Sequence, residues 1–182
     1  MVKEITFITT NLGKVAEFRH VLEPKIKVKH LNIEYKELRS DDPEEISRMA
    51  AKQLADSMGC PVVVEDSGLF IKALKDFPGT CSAYIHKRIG LPGILKLIEG
   101  VKDRSATYKS AIGYCEPGKD AHSFLGEESG KIADSIRGNF GFGHDPIFIP
   151  SGQTKTLGEL ENYKELKKFR REAIKKLLDF LK

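Results

Sequence analysis

Cysteine is scarce in this sequence, and its few copies are scattered. Among 182 residues there are three, Cys60, Cys81 and Cys115. They form no C-x-x-C pair and no Cys/His cluster at zinc spacing, which excludes a disulfide framework and a structural zinc site and points to a reducing compartment. Long apolar runs are missing too. Pro61 to Val64 and Leu69 to Ile71 fall far short of the roughly 20 residues a membrane helix needs. The N-terminus reaches strand-like sequence at once, so no signal peptide, anchor or membrane partner is expected and a cytoplasmic location is. No repeat, low-complexity tract or Pro/Ser-rich linker divides the chain, which reads as a single domain over residues 1–182. Its 40% hydrophobic content suffices to bury a core as one body or as two lobes.

Charge of either sign is not in large excess: the formal net charge is +4 and the estimated pI about 8.8. A mildly basic surface suits a polyanionic ligand without requiring one. Much of the basic charge lies between Lys155 and Lys176, where a helical pattern dominates and a solvated helix face accounts for most of it. No stable nucleic-acid partner is expected.

What is present is an alternation of strand and helix patterns. Glu4 to Thr10 reads as a buried, β-branched first strand, followed by a helix with Val15, Phe18, Val21 and Leu22 on one face. Asp42-Pro43-Glu44-Glu45 has the form of a helix start with a capping box, its apolar stripe Ile46, Met49, Ala50 and Leu54, its stop Gly59. Pro61 to Val64 is a second strand. A break is predicted at Glu65-Asp66-Ser67-Gly68, then a strand through the alternation Leu69, Ile71 and Ala73. Ser105 to Tyr114, His122 to Gly126 and Glu128 to Ala133 read as further strands, with a hairpin turn at Glu116-Pro117-Gly118-Lys119. A short strand at Ile147 to Ile149 precedes one long helix from about Asn162 to Leu181. The order is that of an α/β or α+β fold.

Four segments could carry chemistry. Thr9-Thr10-Asn11-Leu12-Gly13-Lys14 sits between strand and helix, where free N–H groups, the helix dipole and Lys14 suit a phosphate; equally, Asn11 can be a plain N-cap. The spacing is not that of a Walker A loop. Glu65-Asp66-Ser67-Gly68 places adjacent carboxylates after a hydrophobic strand, where oxygen ligands for magnesium and a base for water are found; the alternative is an acidic turn. Asp66 is the preferred residue of the two. In Gly138 to Phe148, glycines alternate with Phe140 and Phe142 ahead of His144 and Asp145, offering a flat ring to a purine or else forming a buried aromatic turn. In the last helix, Lys164, Lys167, Lys168 and Arg171 share a face aimed at an anion or at solvent, while Leu166, Phe169, Ala173, Leu177 and Leu181 form the apolar stripe that makes Phe169 core.

Taken together, TTNLGK, VVVEDSGL, FPGTCSAY, GFGHDPIF and the basic last helix resemble the Ham1/inosine triphosphate pyrophosphatase family over nearly the whole chain. The resemblance implies an elongated mixed sheet flanked by helices, in two lobes with a central cleft. It also implies hydrolysis of ITP, dITP or XTP between the α and β phosphates, with Mg2+ as cofactor and a homodimer as assembly. Position by position, it implies that Thr9, Thr10, Asn11, Leu12, Gly13 and Lys14 bind the triphosphate, that Glu37 and Asp66 ligate the metal, and that Asp66 is also the general base. Lys52 would face the phosphates as a second catalytic residue. Ser67, Phe142, Gly143, His144, Asp145, Lys164 and Arg170 would contact the substrate.

Two positions depart from the family pattern. His144 stands where tyrosine is usual, and Lys168-Phe169-Arg170 where Ser-His-Arg is. The lost imidazole is a lost donor toward the 6-keto group, implying weaker base discrimination by roughly 1–3 kcal/mol. The rival readings are a Maf-type nucleotide pyrophosphatase, whose S-x-S-P-R-R-type motif is absent, a basic nucleotide- or RNA-binding protein, and a family member without activity.

Overall fold

The computed structural model describes residues 3–23 and 25–182. Its elements are β1 (Glu4–Ile8), α1 (Leu12–Leu22), β2 (Lys27–Leu31), α2 (Pro43–Met58), β3 (Val62–Ile71), β4 (Pro78–Gly79), α3 (Ser82–Leu97), β5 (Ser105–Cys115), β6 (His122–Ile132), β7 (Phe148–Pro150), α4 (Tyr163–Leu166) and α5 (Lys168–Phe180). The strands form a seven-stranded sheet in the order β2-β1-β3-β5-β6-β7, with β4 pairing to β3. β1 is parallel to both β2 and β3, as β-α-β connections through α1 and α2 require, whereas β3–β4 and β6–β7 are antiparallel. The fold is thus a mixed α/β sheet flanked by helices.

By contacts the chain divides into two compact units. The first comprises the residues through Asp66, Ser110–Gly126 and Arg170–Lys182; the second comprises Ser67–Lys109 and Glu127–Phe169. The first has apolar clusters on both faces of its strands. Ile5, Phe7, Val63 and Ile112 pack with Phe18 of α1 and Ile174 of α5, while Ile8, Val62 and Val64 pack with Ala50, Ala51 and Ala55 of α2. Phe7 and Phe18 stack at 4.0 Å and both are buried, so truncating either to alanine costs about 3–5 kcal/mol. The second unit has its own core of Leu69, Ile71, Ile94, Ile98, Tyr108, Phe148 and Phe169.

Local chemistry explains the helix boundaries. Asn11 caps α1, its side chain accepting from the N–H groups of Gly13 and Lys14. Asp42 caps α2 by accepting from Glu44 N–H, Pro43 fills the first turn, and Gly59 ends it at φ 65°. Glu45 does not close the predicted capping box; it accepts from the Ser40 hydroxyl instead. Met49 is also displaced from its predicted place, being 54% exposed while Ala51 and Ala55 complete the buried stripe.

Three elements differ from the sequence pattern. β3 runs unbroken through Glu65-Asp66-Ser67-Gly68, and β6 is one strand where two are predicted. The last helix is interrupted at Lys167, whose ψ of 82° separates α4 from α5. α3 has no counterpart in the sequence reading: Gly90 (φ 61°, ψ −169°) and Pro92 lie inside it, and only Ser82 and Ile94 are buried, so it carries breakers and no apolar stripe.

Candidate functional site

The Glu65-Asp66 pair lies within β3, where successive side chains point to opposite faces. Val63 belongs to the cluster under α1 and α5, so Glu65 shares that face. Val62 and Val64 belong to the cluster under α2, so Asp66 shares the other. Two neighbouring carboxylates are thereby given different surroundings, which an exposed turn could not do.

Glu65 is the hub of a buried charge cluster in the first unit. Lys14 Nζ lies 2.7 Å from Glu65 Oε2 and donates to the Glu65 backbone carbonyl at 2.8 Å. The Ser110 hydroxyl donates to Glu65 Oε1 at 2.6 Å, and Arg170 Nε donates to the same oxygen at 3.0 Å. Arg170 Nη1 pairs with buried Glu17 of α1. Burial alone would raise the Glu65 carboxyl, but Arg170, Lys14 and the Ser110 hydroxyl outweigh it and hold the group at about 2. Burial opposes the charge on Arg170 as well, and Glu17 and Glu65 overcome it, raising the guanidinium above its ordinary value. Lys14 and Arg170 thus face Glu65 and Glu17, cation against carboxylate.

Asp66 is 7% exposed. Tyr35, in the irregular segment between β2 and α2, marks its neighbourhood. Burial first, then hydrogen bonding and proximity to Glu37, then Asp66 and Glu65, push the Tyr35 hydroxyl far above its ordinary value. Glu37, Asp66 and Glu65 therefore all lie within electrostatic reach of the Tyr35 hydroxyl, Glu37 most strongly. Sequence reasoning passes over Tyr35, which stands in no motif, although a tyrosine two residues from a candidate ligand is a signal that could have been used. Among the described residues no group of three or more His, Cys, Asp or Glu side chains forms a ready-made metal cage.

The Thr9 to Lys14 turn is more self-contained than a phosphate cradle. Thr9 Oγ1 accepts from Asn11 N–H at 3.1 Å, and Asn11 Oδ1 accepts from Gly13 and Lys14 N–H at 2.9 and 3.2 Å. Those three donors are used internally, while Thr10 and Leu12 are exposed. Lys52 pairs with Asp56 one turn along α2 at 2.7 Å, with the Asp120 carboxylate also nearby.

The second unit holds the other candidates. Phe142 N–H donates to Asp145 Oδ2 at 2.7 Å, and Lys167 Nζ sits 2.8 Å from the same oxygen with both side chains buried. A Cβ on Gly141, whose φ is 76°, would lie 2.1 Å from that oxygen, so only glycine fits there. Gly68 also allows a close approach, there of the chain itself: a Cβ would meet the Gly79 carbonyl oxygen of β4 at 2.1 Å. His144 is buried and packs edge-on to His86 at 5.1 Å; burial, helped by His86, pushes it down to about 4 and keeps it neutral. Ser67 is half-buried in β3, and Lys164 lies near the Tyr163 ring on α4. On the basic face expected of the last helix, Lys168 and Arg171 are exposed, whereas Lys167 is buried, and so is Arg170 beside it. Lys167 is 1% and Arg170 2% exposed, because each has a buried carboxylate to meet. Phe169 is core as predicted, stacked on Tyr108 at 4.7 Å.

Comparison with known proteins covers both units. A protein from Methanopyrus kandleri named dITP/XTP pyrophosphatase is 49% identical over 158 residues, spanning 86% of this chain and 84% of that protein. One of the same name from Methanosarcina mazei is 43% identical over 185 residues, 97% of this chain and 96% of its own length. Among solved structures, the Ham1 protein of Staphylococcus aureus superposes with a TM-score of 0.84 at 29% identity, covering 98% of each chain. A HAM1 protein from Coxiella burnetii gives 0.81 at 28% identity, covering 99% of this chain and 98% of that one. The family model described as Ham1 family matches residues 5–180, and the chain belongs to that family.

Proposed function

We propose that this chain is a nucleoside-triphosphate pyrophosphatase that hydrolyses non-standard purine nucleoside triphosphates such as dITP, ITP and XTP to the monophosphate and pyrophosphate. Its full-length relatives bear the name dITP/XTP pyrophosphatase. The observation that carries the reading is the division of labour on β3. Glu65 is spent on holding Lys14 and Arg170, while Asp66 is placed on the other face beside Tyr35 and Glu37.

In this reading Asp66 orients a water and takes its proton as the water oxygen bonds to the α-phosphorus. The bond from that phosphorus to the bridging oxygen breaks, and pyrophosphate departs with the electron pair. Lys14 assists the leaving charge. An ammonium has three N–H donors, Glu65 takes two, and the third is directed to a phosphate oxygen. The dipole of α1 adds to it, although Asn11 occupies two of the helix's first N–H groups. Thr9 and Thr10 remain the hydroxyl contacts of the same turn. Ser67, the Phe142–Asp145 loop and Lys164 belong to substrate binding, with Phe142 as the surface for the base. Arg170 acts through Glu65 and Glu17 rather than on the base.

A divalent cation such as magnesium would be held by the carboxylates of Asp66 and Glu37, which gather around Tyr35. Bound there, it would neutralise phosphate charge and sharpen the electrophilicity of the phosphorus. A cytoplasmic location agrees with three free cysteines and with the absence, among the described residues, of any helix long and apolar enough to cross a membrane. A homodimer without a nucleic-acid partner completes the proposal.

The test is a triphosphate panel with magnesium, reading pyrophosphate against orthophosphate, in the parental protein and in Asp66→Asn. Pyrophosphate from ITP or XTP and a loss of about 10²-fold or more in Asp66→Asn is expected. Orthophosphate as primary product, or near-parental turnover in Asp66→Asn, refutes the mechanism.

A further inference from the structure

Lys167 is a fully buried lysine at the break between α4 and α5, and its surroundings all lead to Phe142. Its ammonium lies 2.8 Å from Asp145 Oδ2, the oxygen that also accepts the Phe142 N–H at 2.7 Å. The same ammonium stands 4.0 Å from the centroid of the Phe142 ring and 5.0 Å from that of Tyr163. The lysine is held in turn by its own backbone, whose N–H donates to the Tyr163 carbonyl at 2.9 Å. Phe142 is thus fixed twice, its backbone by Asp145 and its ring by a cation. It nevertheless remains partly exposed.

Burying an ion pair is costly, and an apolar pair of similar size would pack as well, so stability alone is a weak reason for this arrangement. What the pair achieves is geometric and electronic. A cation on a phenyl ring draws π density toward itself, which lowers the repulsion felt by a second π system stacked on that ring. A ring already held in place also loses little freedom when a ligand stacks on it. Position 169 has no part in this, since Phe169 is committed to the core against Tyr108.

We propose that Lys167 is the positioning residue for base recognition: paired with Asp145, it holds and polarises the Phe142 ring as the stacking platform for the purine of the substrate. The inference rests on the reading of the Phe142–Asp145 loop as the base-binding segment, and the experiment separates the two.

Steady-state hydrolysis of ITP is compared in the parental protein, Phe142→Ala, Lys167→Arg and the double variant Lys167→Met/Asp145→Asn. The double variant removes both buried charges together, and the new amide oxygen still accepts the Phe142 N–H. The expected result is a rise in KM of about tenfold in Phe142→Ala and in the double variant, the scale of one aromatic–base stack, with the larger share of the effect in KM rather than kcat. Lys167→Arg, which keeps a cation on the ring, should recover most of the parental KM. A raised KM in Phe142→Ala with a parental KM in the double variant overturns the role of Lys167 alone. An unchanged KM in Phe142→Ala overturns the loop reading and this inference with it.

A binding measurement guards against a double variant that does not fold. The chain has no tryptophan, so Phe142→Trp introduces a sole indole whose emission ITP should quench. Lys167→Gln in that background keeps a hydrogen-bond partner for Asp145 and should shift the quenching titration to about tenfold higher ITP. An unshifted titration overturns the proposal.

Discussion

Arg170→Met tests the buried cluster most directly. Methionine keeps the stem and removes the guanidinium that meets both Glu17 and Glu65, while Lys14 stays on Glu65. Removing one partner of a buried pair costs about 3–5 kcal/mol because the other charge stays uncompensated. At about 2–4 °C per kcal/mol for a chain of this size, the midpoint should fall by about 6–20 °C. Urea unfolding followed by far-UV circular dichroism at constant m-value measures the loss. Adding Glu17→Gln to Arg170→Met should recover at least about 1 kcal/mol, since it removes the excess negative charge. The pH dependence has a defined sign. Glu65 titrates at about 2 in the fold against an ordinary 4.5, so its contribution is present above 4.5 and is lost as the pH falls toward 2. The parental and variant stabilities should therefore converge in that window. A loss below about 1 kcal/mol at pH 7, or no recovery from Glu17→Gln, refutes the account of the cluster as mutually dependent charges.

Two other predictions concern residues outside that cluster. Glu128 accepts the Lys168 N–H at the start of α5, and burial, against the helix N–H bonds, raises its carboxyl to about 7. A raised carboxyl stabilises the fold below 4.5 and loses that contribution as the pH rises through 7. Glu128→Gln should therefore be more stable than the parent at pH 8 by about 1–3 kcal/mol and equal to it at pH 4, checked by paired thermal melts. A lower midpoint at pH 8 would mean that the charged helix cap outweighs burial. Lys52→Ala should leave kcat/KM for ITP within about twofold, because Lys52 is half-exposed and paired along its own helix. A hundredfold loss would return it to the site.

The sequence by itself determined a good deal of this protein. The β-branched run at Glu4 to Ile8, the Asn11 and Asp42 caps and the Gly59 stop act within a few residues of chain, so the first strand and the first two helices were legible, as was the family from its ordered motifs. Tertiary structure decided the rest wherever burial contradicts local appearance. Glu65-Asp66-Ser67-Gly68 looks like a turn because acidic residues and glycine avoid strand interiors, yet Lys14, Arg170 and Ser110 stabilise Glu65 there and β4 lies against Gly68. Lys167 looks like part of a solvated face because periodicity cannot reveal the buried Asp145 carboxylate that meets it from a distant segment, and the carboxylates of Glu17 and Glu65 that bury Arg170 are equally hidden from it. α3 was hidden by Gly90 and Pro92, breakers that the fold absorbs in a kink. A chain reveals what each residue prefers locally; which buried charges find partners is settled only when segments far apart in sequence are packed together.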